Sequence, residues 1–183
     1  MRTQPIVSLL LCLSGAACAS SQADQVRDAR MEQIDEQTVA RTRVIEDRQE
    51  AREEAIERNY DSAKTNVDRE KRPDKDKALD MLDVSEDRAL YQSKAVGRME
   101  TIRVRIDAAR SKLSTVPAAQ QEPLQRDLAA LETEYQQREQ EVQSFPMTPA
   151  TNWEDNMEAL DERITNLNTH VKALTDAIED VEM

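Results

Sequence analysis

The C-terminal segment carries an apolar pattern that only a helix places on one face. Apolar side chains fill nine consecutive positions of a heptad, at alternating spacings of four and three and without a polar exception: Trp153, Met157, Leu160, Ile164, Leu167, Val171, Leu174, Ile178 and Val181. A seam sustained over this length is typical of helices that pack in coiled coils and bundles. The pattern therefore predicts a helix over residues 151–182 that must bury its seam.

The composition of this seam leaves two packing modes open. β-Branched residues fill most of the first seam positions and leucine fills the second positions, which favours a two-stranded parallel coiled coil between two copies of the chain. The same seam can pack against helices of its own chain. We favour packing within the chain, because the loops between the predicted helices are short and the two preceding helices also carry heptads.

Prolines bound those two preceding helices. We expect a helix over residues 75–115, with a seam that includes Met99, Ile102, Ile106, Ala109 and Leu113. A third helix, over residues 123–145, carries Leu124, Leu128, Leu131, Tyr135, Val142 and Phe145 at similar spacings. The short connection between them makes them antiparallel neighbours. We thus predict an all-α fold in which residues 75–183 form an antiparallel, coiled-coil-like three-helix bundle.

An eleven-residue repeat occupies the segment before the bundle. Its units cover residues 24–34, 35–45, 46–56 and 57–67, and each begins with Asp or Glu and ends with Ile or Val. Eleven residues make three turns of nearly straight helix, so residues 24–72 predict one long charged helix. Large apolar residues are scarce on it, so it needs a partner or stays largely solvated. Reversible binding to a lipid surface is a further alternative for such repeats.

Composition excludes several classes of protein. The chain has only two Gly, one Trp, three Tyr and one Phe, which argues against β sandwiches, β barrels and folds with Gly-rich nucleotide-binding turns. Its 37 acidic residues against 25 basic ones give a net charge of −12, which argues against a nucleic-acid-binding surface.

The sequence offers no assembled catalytic or metal site. His170 is the only histidine and has no matching cysteine or carboxylate spacing, so we interpret it as a helix-surface residue. Asp76, Asp80, Asp83 and Asp87 share one helix face but lack a glycine-bearing calcium loop, which indicates a solvated acidic face. We predict no catalytic residue, no metal ligand, no cofactor and no enzymatic activity.

The N-terminus contains a short address segment. Arg2 precedes an apolar run over residues 6–13, which is too short to span a bilayer, and small residues then lead to a cysteine in Gly15-Ala16-Ala17-Cys18. The segment resembles the signal peptide of bacterial lipoproteins, although Gly15 stands where their lipobox usually has Leu. The resemblance implies that residues 1–17 are removed, that Cys18 is acylated, and that Ala19 directs the protein to the outer membrane. Ordinary secretion with cleavage after Ala19 is the alternative.

These features together suggest a role at the bacterial cell envelope. We expect residues 18–23 to form a tether and the helices to act as a membrane-anchored structural or protein-interaction scaffold facing the periplasm. Its partners would be the membrane, through the lipid anchor, and a protein or a second copy, through helix seams; we expect no nucleic acid and no small-molecule substrate. A periplasmic holdase-like chaperone or adaptor, and a lipid-surface-binding helix, are the alternatives.

Overall fold

A computed structural model describes residues 15–70, 73–145 and 152–181 of the chain. These ranges form four helices: α1 (Gly15–Arg69), α2 (Lys75–Leu113), α3 (Ala118–Ser144) and α4 (Trp153–Asp180). Every regular element in them is a helix, so the predicted all-α class is confirmed. The boundaries of α2 and α4 lie within two residues of the predicted ones.

The second half of α2 forms a three-helix bundle with α3 and α4. Arg110 of α2 reaches Glu132 of α3, whereas Lys112, near the same end of α2, reaches Glu179 near the end of α4. The helix α3 therefore runs antiparallel to α2, and α4 runs parallel to it. The predicted heptad seams of all three helices meet in one apolar core.

The seam of α4 is used within the chain. Its central positions, from Leu160 to Ile178, are at most 5% exposed, and they pack in the same cluster as the seams of α2 and α3. In this structure the seam packs within the chain, as the short loops favoured.

The helix α1 lies along the outside of α2, and among the described helices its backbone closely approaches α2 alone. The two run antiparallel: Met31 lies beside Thr115, Arg41 beside Asp107, and Lys64 beside Asp83. Both ends of α1 reach past the bundle. At one end, the turn after α2 lies beside Met31, so the residues of α1 before Met31 extend further. At the other end, α3 ends and α4 begins near Tyr91, whereas α1 continues along the first half of α2. The first helix thus packs on the bundle, but through α2 alone.

Two segments differ from the sequence-based prediction. The helix α3 begins at Ala118, five residues before the expected start, and Pro123 lies inside it. Ala and Gln are strong helix formers, so the helix extends through residues 118–122, although Pro123, its sixth residue, cannot donate the backbone hydrogen bond of that turn.

The segment expected to be a tether is also helical. Residues 18–23 continue α1, which begins at Gly15. The sequence Cys-Ala-Ser-Ser-Gln-Ala contains no proline or glycine, and helix propagation from α1 costs little where alanine is frequent. The remainder of the expected signal peptide, residues 1–14, lies outside the described residues.

Candidate functional site

Cys18, the expected acylation site, lies in the first turns of α1. Its position on the backbone is beyond the end of α2, because Met31, thirteen residues further along α1, already lies beside the turn that follows α2, with Met31 Sδ 3.7 Å from Thr115 Oγ1. The expected anchor therefore stands apart from the bundle, on the same helix that packs along it.

A buried lysine joins three helices. Lys112 of α2 is 2% exposed, and its Nζ lies 2.7 Å from Asp35 Oδ1 of α1 and 2.7 Å from Glu179 Oε1 of α4. Burial lowers the pKa of Lys112, but the hydrogen bonds to Asp35 and Glu179 together with the negative charge of these carboxylates raise it by more, so its pKa lies above the ordinary value. The ammonium therefore stays charged, with both carboxylates satisfying it.

Further ion pairs link α1 to α2 along their length. Arg41 Nη2 lies 3.1 Å from Asp107 Oδ2, and Arg52 Nη2 lies 3.2 Å from Glu100 Oε1. Lys64 Nζ lies 2.8 Å from Asp83 and 2.5 Å from Glu86, and the hydrogen bonds to these two carboxylates raise the pKa of Lys64. Apolar burial between the two helices is limited: Ile45 is the one large apolar side chain of α1 that is buried among the described residues, while Ile34, Ile56 and Val67 are half-buried.

The acidic row that the sequence singled out is partly neutralised. Asp83 pairs with Lys64, while Asp76, Asp80 and Asp87 are exposed. Within the described ranges, no three His, Cys, Asp or Glu side chains are placed to hold a metal ion together. His170 is exposed on α4, with Nδ1 3.3 Å from Glu134 Oε2 of α3. The structure does not bring His170 and the acidic row together.

An aromatic corner closes one end of the bundle. The Tyr91 hydroxyl donates to the Met157 carbonyl at 3.0 Å, and the Tyr91 and Phe145 rings have centroids 4.8 Å apart. The guanidinium of Arg88 lies 5.7 Å from the centroid of Trp153. Burial, with a smaller effect of the nearby Asp161 carboxylate, raises the pKa of Tyr91 to about 12.

Several concave surfaces open on the described helices, and two of them combine apolar and charged side chains that the sequence did not lead us to expect together. One, of about 790 Å³, has Tyr91, Trp153 and Met157 at its base and acidic residues of α2 and α4 around it. The other, of about 470 Å³, runs between α1 and α2, with α1 side chains facing Glu100, Arg103 and Val104 of α2. We call this second one the α1–α2 groove; its α1 side is formed by Ala40, Arg41, Val44, Ile45 and Arg48.

A signal for this groove is present in the repeat. Alanine occupies the sixth position and arginine the seventh in the first three repeat units, next to the Ile line that faces α2. The periodicity predicts the line of Ile and Val side chains, but it cannot show that the neighbouring Ala and Arg positions border a groove against α2.

None of the described helices combines the length and the apolar character that a membrane-spanning helix needs. No protein-family model, curated protein or solved structure matches this chain significantly.

Proposed function

We propose that the chain is a lipid-anchored helical protein of the bacterial envelope that acts as a structural or protein-interaction scaffold. The observation that carries the anchor is the sequence Gly15-Ala16-Ala17-Cys18 after a short apolar run. Cys18 has no cysteine partner in the chain that follows it, so a structural disulfide within the mature chain would not explain it.

The arrangement of the helices supports the scaffold. The 55 residues of α1 extend about 80 Å at the usual rise of an α-helix, so the molecule is elongated. A long helix that uses only one face on α2 leaves the rest of its surface for partners. We place the protein at the outer membrane, facing the periplasm, with no catalytic role.

The anchor is tested by the intact mass of the protein from the membrane fraction of its native host. We expect a chain that begins at Cys18 and carries acyl chains, and a Cys18→Ala variant that loses them and moves to the soluble fraction. Cys12→Ala, the same change inside the apolar run, should leave acylation intact. An unmodified chain that begins at Ser20 in the soluble fraction would contradict the anchor and favour the chaperone or adaptor alternative.

The scaffold is tested by small-angle scattering of the mature chain. A compact protein of this size has a radius of gyration of about 15 Å. We expect a clearly larger value and a scattering profile of an elongated particle, because α1 exceeds the length of the bundle. A value near 15 Å would contradict the extended arrangement.

A further inference from the structure

We propose that the α1–α2 groove binds an acidic amphipathic helix of a partner protein. This inference rests on the proposed scaffold function and gives its partner a chemistry. Its evidence comes from the repeat, from the groove and from the charges around it.

The eleven-residue repeat carries one face without acidic residues. In all four units, positions three, six, seven and ten hold no Asp or Glu. They hold four arginines, Arg30, Arg41, Arg48 and Arg52, and otherwise Ala, Val, Gln, Asn and Ser. The acidic residues of the repeat occupy the other positions. In a chain of net charge −12, such a face is unusual and is electrostatically distinct from the rest of α1.

This acid-free face lines the groove. Ala40, Arg41, Val44 and Arg48 occupy positions six, seven, ten and three of their units, and all four line it. At about 100° per residue these positions fall on one side of the helix, next to the line that contacts α2. The opposite wall is α2, where Arg103 adds a further positive charge.

The groove has the form of a helix-binding surface. Val44 is 55% exposed, although Val104 on the opposite wall is 3% exposed, so the groove has an apolar floor and an uncovered apolar rim. The small side chain of Ala40 permits close approach of another backbone, and no other described helix backbone lies close to α1 beside α2. An apolar stripe of a partner helix would fill this space.

The charges select an acidic partner. Glu100 Oε1 is paired with Arg52, and Arg41 is paired with Asp107, whereas Glu100 Oε2 is buried and accepts no hydrogen bond from the described residues. Arg48 and Arg103 are both exposed, and neither forms an ion pair with a carboxylate of the described residues. Carboxylates of a bound helix would complete these two guanidinium groups, and such rim pairs set partner choice and association rate.

The same charges disfavour two other occupants. A two-fold symmetric pair of copies would place the acid-free face of one against that of the other, so arginine would oppose arginine. A lipid surface requires a broad, convex apolar face with large side chains, whereas this surface is concave and its exposed apolar residues are Ala40 and Val44.

Site-specific photo-crosslinking in cells of the native host tests the inference. A photoreactive benzoylphenylalanine replaces Val44 in one full-length protein and Val39 in the other. Val39 is 51% exposed, but it occupies position five, where the other three units carry Asp or Glu. We expect an adduct at position 44 whose cross-linked peptide maps to an acidic helix of another protein, and at least fivefold less of it at position 39, on the other face of α1.

Charge reversal supplies the second measurement. Arg48→Glu in the protein with the crosslinker at position 44 should lower the adduct about fivefold or more, because it places a carboxylate against the carboxylates of the partner. Arg43→Glu is the matched control. Arg43 is also exposed on α1, but at position nine, where two other units carry Glu, and this change should leave the adduct unaltered.

Each other outcome overturns the inference. A second copy of the chain, a lipid or a basic segment at position 44 would assign the groove to a different occupant. Equal adducts at both positions, or no adduct at position 44, would show that the groove is not a selective surface. The proposed function fails separately, when the chain is neither acylated nor elongated; an acylated, elongated protein with adducts elsewhere keeps the scaffold and loses only the groove.

Discussion

The two sides of α2 are packed by different physical means. On one side α2 meets α3 and α4 through continuous apolar seams, and Leu167 at the centre of the α4 seam is fully buried. On the other side α2 meets α1 through ion pairs and a line of half-buried aliphatic side chains, of which Ile45, at 8% exposure, is the one buried among the described residues. Both sides are helical and highly charged, so composition alone does not distinguish them.

The two sides of α2 differ in how much their contacts contribute to the free energy of unfolding. Burial of an apolar side chain contributes about 1.5 to 3 kcal/mol, whereas an exposed ion pair contributes about 0 to 1 kcal/mol. We therefore expect the three-helix bundle to carry most of the free energy of unfolding, and α1 to separate from α2 in a local opening of lower free energy. Substitutions on each side of α2, and one change of pH, test this contrast.

Leu167→Ala should lower the free energy of unfolding of the whole bundle by about 3 kcal/mol, because it leaves a cavity in a fully buried seam. Chemical denaturation followed by circular dichroism measures this effect. Ile45→Ala is the matched change on α1. It should lower the free energy of the local opening of α1 by about 1 to 2 kcal/mol, and amide hydrogen exchange should become faster in α1 only. Equal global effects of the two variants would contradict the contrast.

Raising the pH above 10 should destabilise the bundle through Tyr135. Burial, followed by the nearby Glu139 carboxylate, raises the pKa of Tyr135 to about 12 from a model-peptide value of 10.0. The unfolded chain then loses this proton at lower pH than the folded chain, so stability falls as the pH rises from 10 to 12, by about 2 kcal/mol for this group.

Melting curves of the wild type and Tyr135→Phe across this range measure the contribution. The variant should lose less stability than the wild type between pH 10 and 12, since both share every other titrating group. Parallel curves would show that Tyr135 ionises equally in both states.

The two carboxylates that pair with Lys112 come from opposite sides of α2, Asp35 from α1 and Glu179 from α4, so each can be changed separately. Asp35→Asn should lower the free energy of separating α1 from α2 by about 1 kcal/mol, since an amide replaces a charged acceptor of a buried ammonium. Glu179→Gln changes the other acceptor in the same way, but on α4. Hydrogen exchange should increase in α1 for the first variant and near the end of α4 for the second. Identical exchange patterns would contradict this division.

Gly97 gives the smallest expected effect. A Cβ there would overlap Gln49 Oε1 of α1 and would lie 2.8 Å from its Cδ, so the Gln49 side chain must turn away. Alanine favours a helix over glycine by about 1 kcal/mol, and we expect Gly97→Ala to gain this amount in a Gln49→Ala background and less in the wild type. Thermal unfolding of the four proteins measures the coupling. Equal gains in both backgrounds would show that the contact has no energetic effect.

The sequence predicts the bundle better than it predicts the placement of α1. The buried residues of α4 can be predicted from its sequence, because apolar residues at heptad spacing fall on one face of a helix and that face is the one that becomes buried. The start of α3 was missed because the residues before Pro123 have strong helix propensity, which a proline near the helix start does not cancel.

The contacts of α1 depend on its register against α2, which no periodicity specifies. Lys112 interrupts no apolar seam in the sequence, and only the packed structure brings Asp35 and Glu179 to it. The α1–α2 groove follows from the same register, because it requires Val44 and Val104 to lie on facing helices. The expected acylation of Cys18 and the tests of function are independent of this register.

The unbroken helix between Cys18 and the bundle has a geometric consequence. A helix rises about 1.5 Å per residue, so Met31 stands about 20 Å from Cys18 along the axis of α1 and Val44 about 40 Å. With a flexible tether the distance between Cys18 and the groove would vary, whereas a helix fixes both this distance and the direction in which the groove faces. Since eleven residues complete three turns, one additional repeat unit before Met31 would raise the groove by about 16 Å above an anchored end with almost no rotation.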